Sequence, residues 1–242
     1  MRRNRHQPPG VDEENPYWIS FSDIMSGLLV VFVLACLVLI MELVQTRAAV
    51  SAAIENLQYA EQIRRTLLEE AAAELKARDI PVQISDNYSV LRIPNELLGF
   101  DAGEAGIQPR YYKTATEIGH VLNKVITKDE RSRYLDTIFL EGHTDIRSFS
   151  GPKGNWGLSS YRAISLWEFW NQELAENERL DRLRNHMQQP LFSISGYAAS
   201  RPIVSDQQNE DDYRRNRRID IRFTVRRPEL QAYQNVRRLL TE

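Results

Sequence analysis

A chain of 242 residues has room for one good-sized domain with appendages or two small ones, and its formal net charge of −2 gives no global excess to draw nucleic acid. Its one cysteine, Cys36, excludes a disulfide framework and a thiolate metal site. The mean hydropathy of −0.46 is that of a soluble protein, but the average conceals one concentrated apolar block.

Residues 1–15 are polar, hold two prolines and one glycine, and read as a flexible cytoplasmic tail. From 16 to 41 the chain reads as a transmembrane helix. Ile24 to Met41 are 18 positions without a formal charge, and Tyr17, Trp18, Ile19 and Phe21 extend the apolar character upstream. At about 1.5 Å per residue such a run spans roughly 27 Å, close to a bilayer core. A cleaved signal peptide fits poorly, because the run is long and no small-x-small signature precedes Glu42. A buried soluble helix would carry a polar stripe, which this segment lacks. Arg2, Arg3 and Arg5 precede the span and only Arg47 follows closely, so the N-terminus is expected in the cytoplasm and the rest outside it.

Residues 42–79 contain no Gly or Pro and read as one long helical linker. Leu43, Val50 and Leu57 recur every seven residues, and Ile54, Ile63, Leu67, Ala71 and Leu75 continue a related stripe. Either a parallel second copy or the chain's own domain would bury it, and the imperfect heptads leave both open. From 80 to 226 the pattern is that of a domain. A strand is expected over Val82 to Ile93, a Gly-rich loop from Gly99 to Gly106, and a helix over Tyr111 to Thr127. A short strand follows at Thr137 to Leu140, then a helix from about Leu158 to His186, and strands at Phe192 to Tyr197 and Arg218 to Val225. The order β-α-β-α-β-β implies an α+β sandwich, with helices on one face of a mixed sheet. Residues 227–242 are expected to form a C-terminal helix.

Several clusters invite chemistry. Glu141, His143 and Asp145 alternate as strand neighbours on one face would, a spacing that metal ligands also use. No second His or Cys cluster completes such a site, so no metal and no cofactor is expected. His143 with Ser159 or Ser160 suggests nucleophilic catalysis, yet no nucleophile-elbow spacing supports it, and the chain reads as a binding protein rather than an enzyme. The basic run Arg214, Arg215, Arg217 and Arg218 follows Glu210, Asp211 and Asp212 and reads as a solvated, partly ion-paired surface, with no direct nucleic-acid partner.

Five segments in order then resemble the OmpA-like peptidoglycan-binding family: Phe100–Gly103, Glu141–Asp145, Asn155–Ala163, Gly196–Pro202, and Arg214–Ile221 with Asn216-Arg217-Arg218 inside it. The resemblance implies that Asp145 takes the ammonium and Arg162 the carboxylate of a diaminopimelate stem peptide. A guanidinium fork suits that carboxylate. Thr144, Asn155 and Leu158 would shape the loop, with Arg218 a further contact or a brace. Read as residues alone, Asp145 is equally a turn cap and Arg162 a surface ion pair.

Asp23 opens the span within Phe21-Ser22-Asp23-Ile24-Met25-Ser26-Gly27. A carboxylate at membrane depth costs on the order of 3 kcal/mol, so it is a candidate carrier of a proton or sodium ion; a helix N-cap is the rival. The layout of tail, aromatic-led span with one Asp, helical linker and wall-binding domain resembles MotB, the flagellar stator subunit. Ser22 to Leu29 departs from the flagellar run, and the span and short linker look more like ZorB, the MotB-like subunit of Zorya anti-phage defence. That resemblance implies an inner-membrane homodimer inside a ring of a polytopic MotA-like (ZorA-like) partner, with H+ or Na+ carried by Asp23 and peptidoglycan gripped outside. A flagellar-type stator and a passive envelope tether remain as alternatives.

Overall fold

A computed structural model of the chain describes residues 16–101 and 103–227. The tail and the C-terminal helix expected beyond residue 227 lie outside the described residues. The chain divides into two units, the first running to Ala52 and the second beginning at Ala53.

Helix α1 (Pro16–Lys76) contributes to both. In the first unit it contains an 18-residue window long and apolar enough to cross a membrane, none of it buried against protein. Leu28, Leu29, Val30 and Val31 are consecutive, so at about 100° per residue they point to every side of this helix, and all four are exposed. Such a cylinder is stable only where lipid or another subunit replaces water. Asp23 is likewise exposed and lies about two turns inside the helix start at Pro16, too deep to serve as its N-cap.

In the second unit the same helix belongs to a packed core. Leu67, Leu68, Ala71 and Leu75 recur at three- and four-residue steps and are fully buried among core side chains. The stripe from Leu67 onward is therefore covered by the chain's own domain, while Leu43 and Ile54 higher up stay exposed. The boundary expected at residue 80 moves into the helix. The reason is energetic: the sheet's apolar face needs this helix as a cover. Ion pairs fix it in place, with Glu70 receiving both arms of Arg131 at 2.8 and 2.9 Å. The Arg131 hydrogen bond, with Lys128 assisting against burial, holds the Glu70 carboxyl down to about 2.

The domain holds β1 (Gln83–Ser85), β2 (Val90–Pro94), α2 (Tyr112–Thr127), β3 (Leu135–His143), α3 (Gly154–Glu173), β4 (Phe192–Gly196), α4 (Glu210–Asn216) and β5 (Arg218–Val225). The sheet order is β1-β2-β5-β3-β4, with β3 and β4 parallel and every other pair antiparallel. This is the expected α+β arrangement on a mixed sheet. The strand expected over residues 82–93 is instead a hairpin, broken by Asp86, Asn87 and Tyr88, all at positive φ. The helix expected to reach His186 stops at Glu173, where Leu174 turns extended and is buried.

Register sorts the sheet into two faces. Leu91, Ile221 and Leu140 align across three strands in the apolar core, and one residue along, Arg92, Asp220 and Glu141 align on the opposite face. Period-two alternation along β5 produces both rows at once.

Two glycines bring α3 against the sheet. A Cβ on Gly142 would stand 1.9 Å from the Ser159 carbonyl oxygen, and one on Gly196 would stand 2.2 Å from Ser160 Oγ. Gly142→Ala must push a helix backbone off the sheet, so a loss of about 3 kcal/mol is expected. Chemical denaturation followed by tryptophan fluorescence would register it as a lower midpoint; an unchanged midpoint would contradict this packing.

Candidate functional site

The C-terminal end of β3 opens into a loop, Thr144 to Lys153, that leads to α3. Here a cavity of about 260 Å³ is lined by Gly103, Thr144, Asp145, Arg147, Phe149, Asn155, Leu158, Arg162 and Arg217, with Ser148 and Ser150. Five of the six wall-peptide residues expected from the sequence, Thr144, Asp145, Asn155, Leu158 and Arg162, meet at this one place. Close packing at Gly142 and Gly196 explains why: it sets the first turns of α3 beside the strand end.

Arg162 is not a surface ion pair. Its side chain is fully buried, donating from Nε to the Glu104 carbonyl and from Nη2 to the Asp101 carbonyl, each at 2.9 Å. Its Nη1 is buried and has no hydrogen-bond partner among the described residues. Burial, with the neighbouring Arg217 charge, pulls the guanidinium down to about 10, so it is cationic at neutral pH. A buried donor left without an acceptor costs roughly 1–3 kcal/mol, which an entering anion would return. Thr144 Oγ1 and Arg217 Nε, on two other lining residues, also lack partners among the described residues.

Asp145 is buried and heavily partnered. Its Oδ2 accepts from Arg147 Nη2 and from Arg217 Nη1, both at 2.6 Å, and its Oδ1 accepts from the Arg147 backbone N–H at 3.0 Å. Burial pushes the carboxyl up, but the Arg147 and Arg217 hydrogen bonds outweigh it and hold the group below its ordinary value. Asn155 staples the loop, accepting from the Phe149 N–H at 2.9 Å and donating to the Arg147 carbonyl at 2.9 Å and the Asp145 carbonyl at 3.3 Å.

Arg218 stands apart from the cavity, and Arg217 takes the place expected for it. The residue before the strand turns to Asp145, whereas Arg218, the first residue of β5, pairs across to His143 on the sheet's polar face. There it binds Asp220 Oδ2 at 3.0 Å and the carbonyls of Asn216 and Arg201. The basic run is correspondingly less solvated than its composition suggests. Arg214 is exposed, but Arg217 and Arg218 are buried in ion pairs.

Glu141 and His143 lie on that polar face with Asp220, their ligand-type atoms within 4.8 Å of one another. Asp145 is not among them, because β3 ends at His143. The two carboxylates already carry guanidinium partners: Arg222 binds Glu141 at 2.8 Å, and Arg92 and Arg218 bind Asp220 at 3.0 Å. The His143 nitrogens bond neither Ser159 nor Ser160; Ser159 Oγ bonds the Trp156 carbonyl and the Ala198 N–H.

His143 lies flat against Tyr197, whose other neighbour is Arg201. Burial, then the Arg218 charge, pulls its imidazole down to about 3 despite Asp220. In the unfolded chain it would titrate near ~6.5. Between those values the unfolded state binds the proton more readily, so the neutral ring's contribution is complete above about 6.5 and is lost as pH falls toward 3. Stability is expected to fall by up to about 1.4 kcal/mol per pH unit from 6.5 to 4.5. His143→Leu should flatten that slope in urea midpoints measured across the window, and a wild-type slope in the variant would exclude His143 as its cause.

The domain's fold is that of a MotB-like protein from Desulfovibrio vulgaris, with a TM-score of 0.51, 18% identity, and coverage of 70% of this chain and 99% of that one. No protein-family model matches the chain. Over 248 residues it is 25% identical to the Zorya protein ZorB of Escherichia coli, covering 98% of this chain and 97% of that one. The chain is thus similar to ZorB along nearly its whole length, and its domain shares a MotB-like fold. A shorter match, 29% identical over 163 residues, joins this ZorB-like chain to the uncharacterized protein YtxE of Bacillus subtilis, covering 64% of the chain and 57% of that relative.

Proposed function

We propose that this chain is the wall-anchored subunit of an ion-driven inner-membrane complex acting in anti-phage defence, with the cavity at Asp145 and Arg162 as its peptidoglycan receptor. The observation that carries the receptor is the buried, unpartnered Arg162 Nη1 beside the Asp145 carboxylate. A stem peptide ending in diaminopimelate brings a carboxylate for the first and an ammonium for the second. Similarity to ZorB along nearly the whole chain supports the defence setting.

The motor half rests on α1. An apolar helix exposed all round, with one carboxylate near its entrance, needs protein neighbours more than lipid alone. A second copy and a ring of a polytopic MotA-like, ZorA-like subunit would provide them, with the N-terminus cytoplasmic and the domain periplasmic. Protonation or sodium binding at Asp23 would then cancel its charge and change its attraction for groups on the ring. No catalysis and no resident cofactor enter this scheme. Sedimentation of the full chain with purified sacculi tests the receptor: pelleting is expected, and a chain left wholly in the supernatant would rule it out.

A further inference from the structure

We infer that Arg147 is a resident cation in the seat of Asp145, one that a ligand's ammonium must displace, and that it therefore sets how selectively and how readily this cavity takes a wall peptide. The inference rests on the peptidoglycan reading of the cavity. A carboxylate offers about four lone-pair positions, and Asp145 has three hydrogen bonds, two of them from Arg147. The cation seat is thus filled from within, whereas the anion seat at Arg162 Nη1 has no partner among the described residues. The two halves of a zwitterionic ligand meet different conditions. Its carboxylate enters freely, and its ammonium has to compete.

Of the two guanidiniums on Asp145, only Arg147 is placed to leave. The Arg217 side chain is 10% exposed and sits where the chain enters β5, while the Arg147 side chain is 43% exposed and rides on the β3–α3 loop. Arg147 also has an alternative resting place. Its Nη1 donates to Glu210 Oε2 at 2.9 Å, and its guanidinium carbon lies 4.3 Å from the centre of the Tyr213 ring. Letting go of Asp145 would leave that cation paired with a half-exposed carboxylate and an aromatic face, close to water. The incoming ammonium replaces it charge for charge, so no buried carboxylate is stranded. An ammonium is a compact point charge with three donors, suited to the space a retracting guanidinium leaves.

A ligand carrying the carboxylate but not the ammonium would gain nothing from the departure of Arg147, which makes the residue a filter for the free amine. The test is calorimetry on the full chain in detergent, with a muramyl tripeptide ending in meso-diaminopimelate and the same peptide acetylated on its side-chain amine. Arg147→Ala is expected to bind the free-amine peptide about three- to tenfold more tightly than wild type, because the competent state no longer has to be purchased from the paired one. Its affinity for the acetylated peptide should not change. Equal or weaker binding of the free-amine peptide by Arg147→Ala, or an equal gain for both peptides, would overturn the inference. Arg162→Ala separates the two readings, since a variant that still binds both peptides like wild type would remove the receptor itself.

Discussion

Asp23→Asn is expected to leave membrane insertion and wall binding intact and to abolish protection in a phage plaque assay. The side chains are nearly isosteric, so packing around the span is kept. What changes is titration: an amide cannot take up and release an ion at bilayer depth, where a carboxylate is otherwise a standing cost. Asp23 is exposed on a helix whose apolar window is unburied, so its face of the span is open to a partner. Full protection by the variant would remove Asp23 as an ion carrier and reduce the molecule to a tether.

Arg162→Ala is expected to lower affinity for a diaminopimelate-ended muropeptide about a hundredfold, which calorimetry measures directly. Two of its donors are committed to the Glu104 and Asp101 carbonyls and hold the guanidinium still, so the unpartnered Nη1 is pre-positioned for a ligand. Alanine also frees those two carbonyls, which will cost stability. Arg162→Lys separates the effects, because it keeps a cation and most of the packing but loses the rigid fork. It should fold nearly as well as wild type and still lose most of the affinity. Wild-type affinity in Arg162→Lys would place recognition elsewhere.

What the sequence disclosed follows from which signals are local. The span is legible as a continuous uncharged run and α2 and β5 by their apolar periodicity, and the ordered family-like segments gathered five of the expected site residues at one strand end. Elements set by tertiary contacts were not legible. Residues 174–186 are rich in Glu, Leu and Arg with no Gly or Pro to stop a helix, yet Leu174 and Leu180 are drawn into the core through extended and short 3-10 segments. The turn at Asp86-Asn87 and the short helix α4 did have local signs, the second in the reciprocal capping of Asn209 and Asp212. Arg147 had none. Its role depends on a loop bringing it back onto the carboxylate two residues earlier, and no spacing rule encodes that. The exchange of Arg217 for Arg218 turns on which residue of the pair begins the strand, a one-residue matter that alternation reverses.

The most direct measurement is a crystal structure of the chain with the diaminopimelate-ended muramyl tripeptide bound. The peptide's terminal carboxylate is predicted to lie within hydrogen-bonding distance of Arg162 Nη1, with its ammonium on Asp145 and Arg147 turned toward Glu210. A peptide seated on another surface, with the Asp145 and Arg162 cavity unchanged, would contradict the receptor outright.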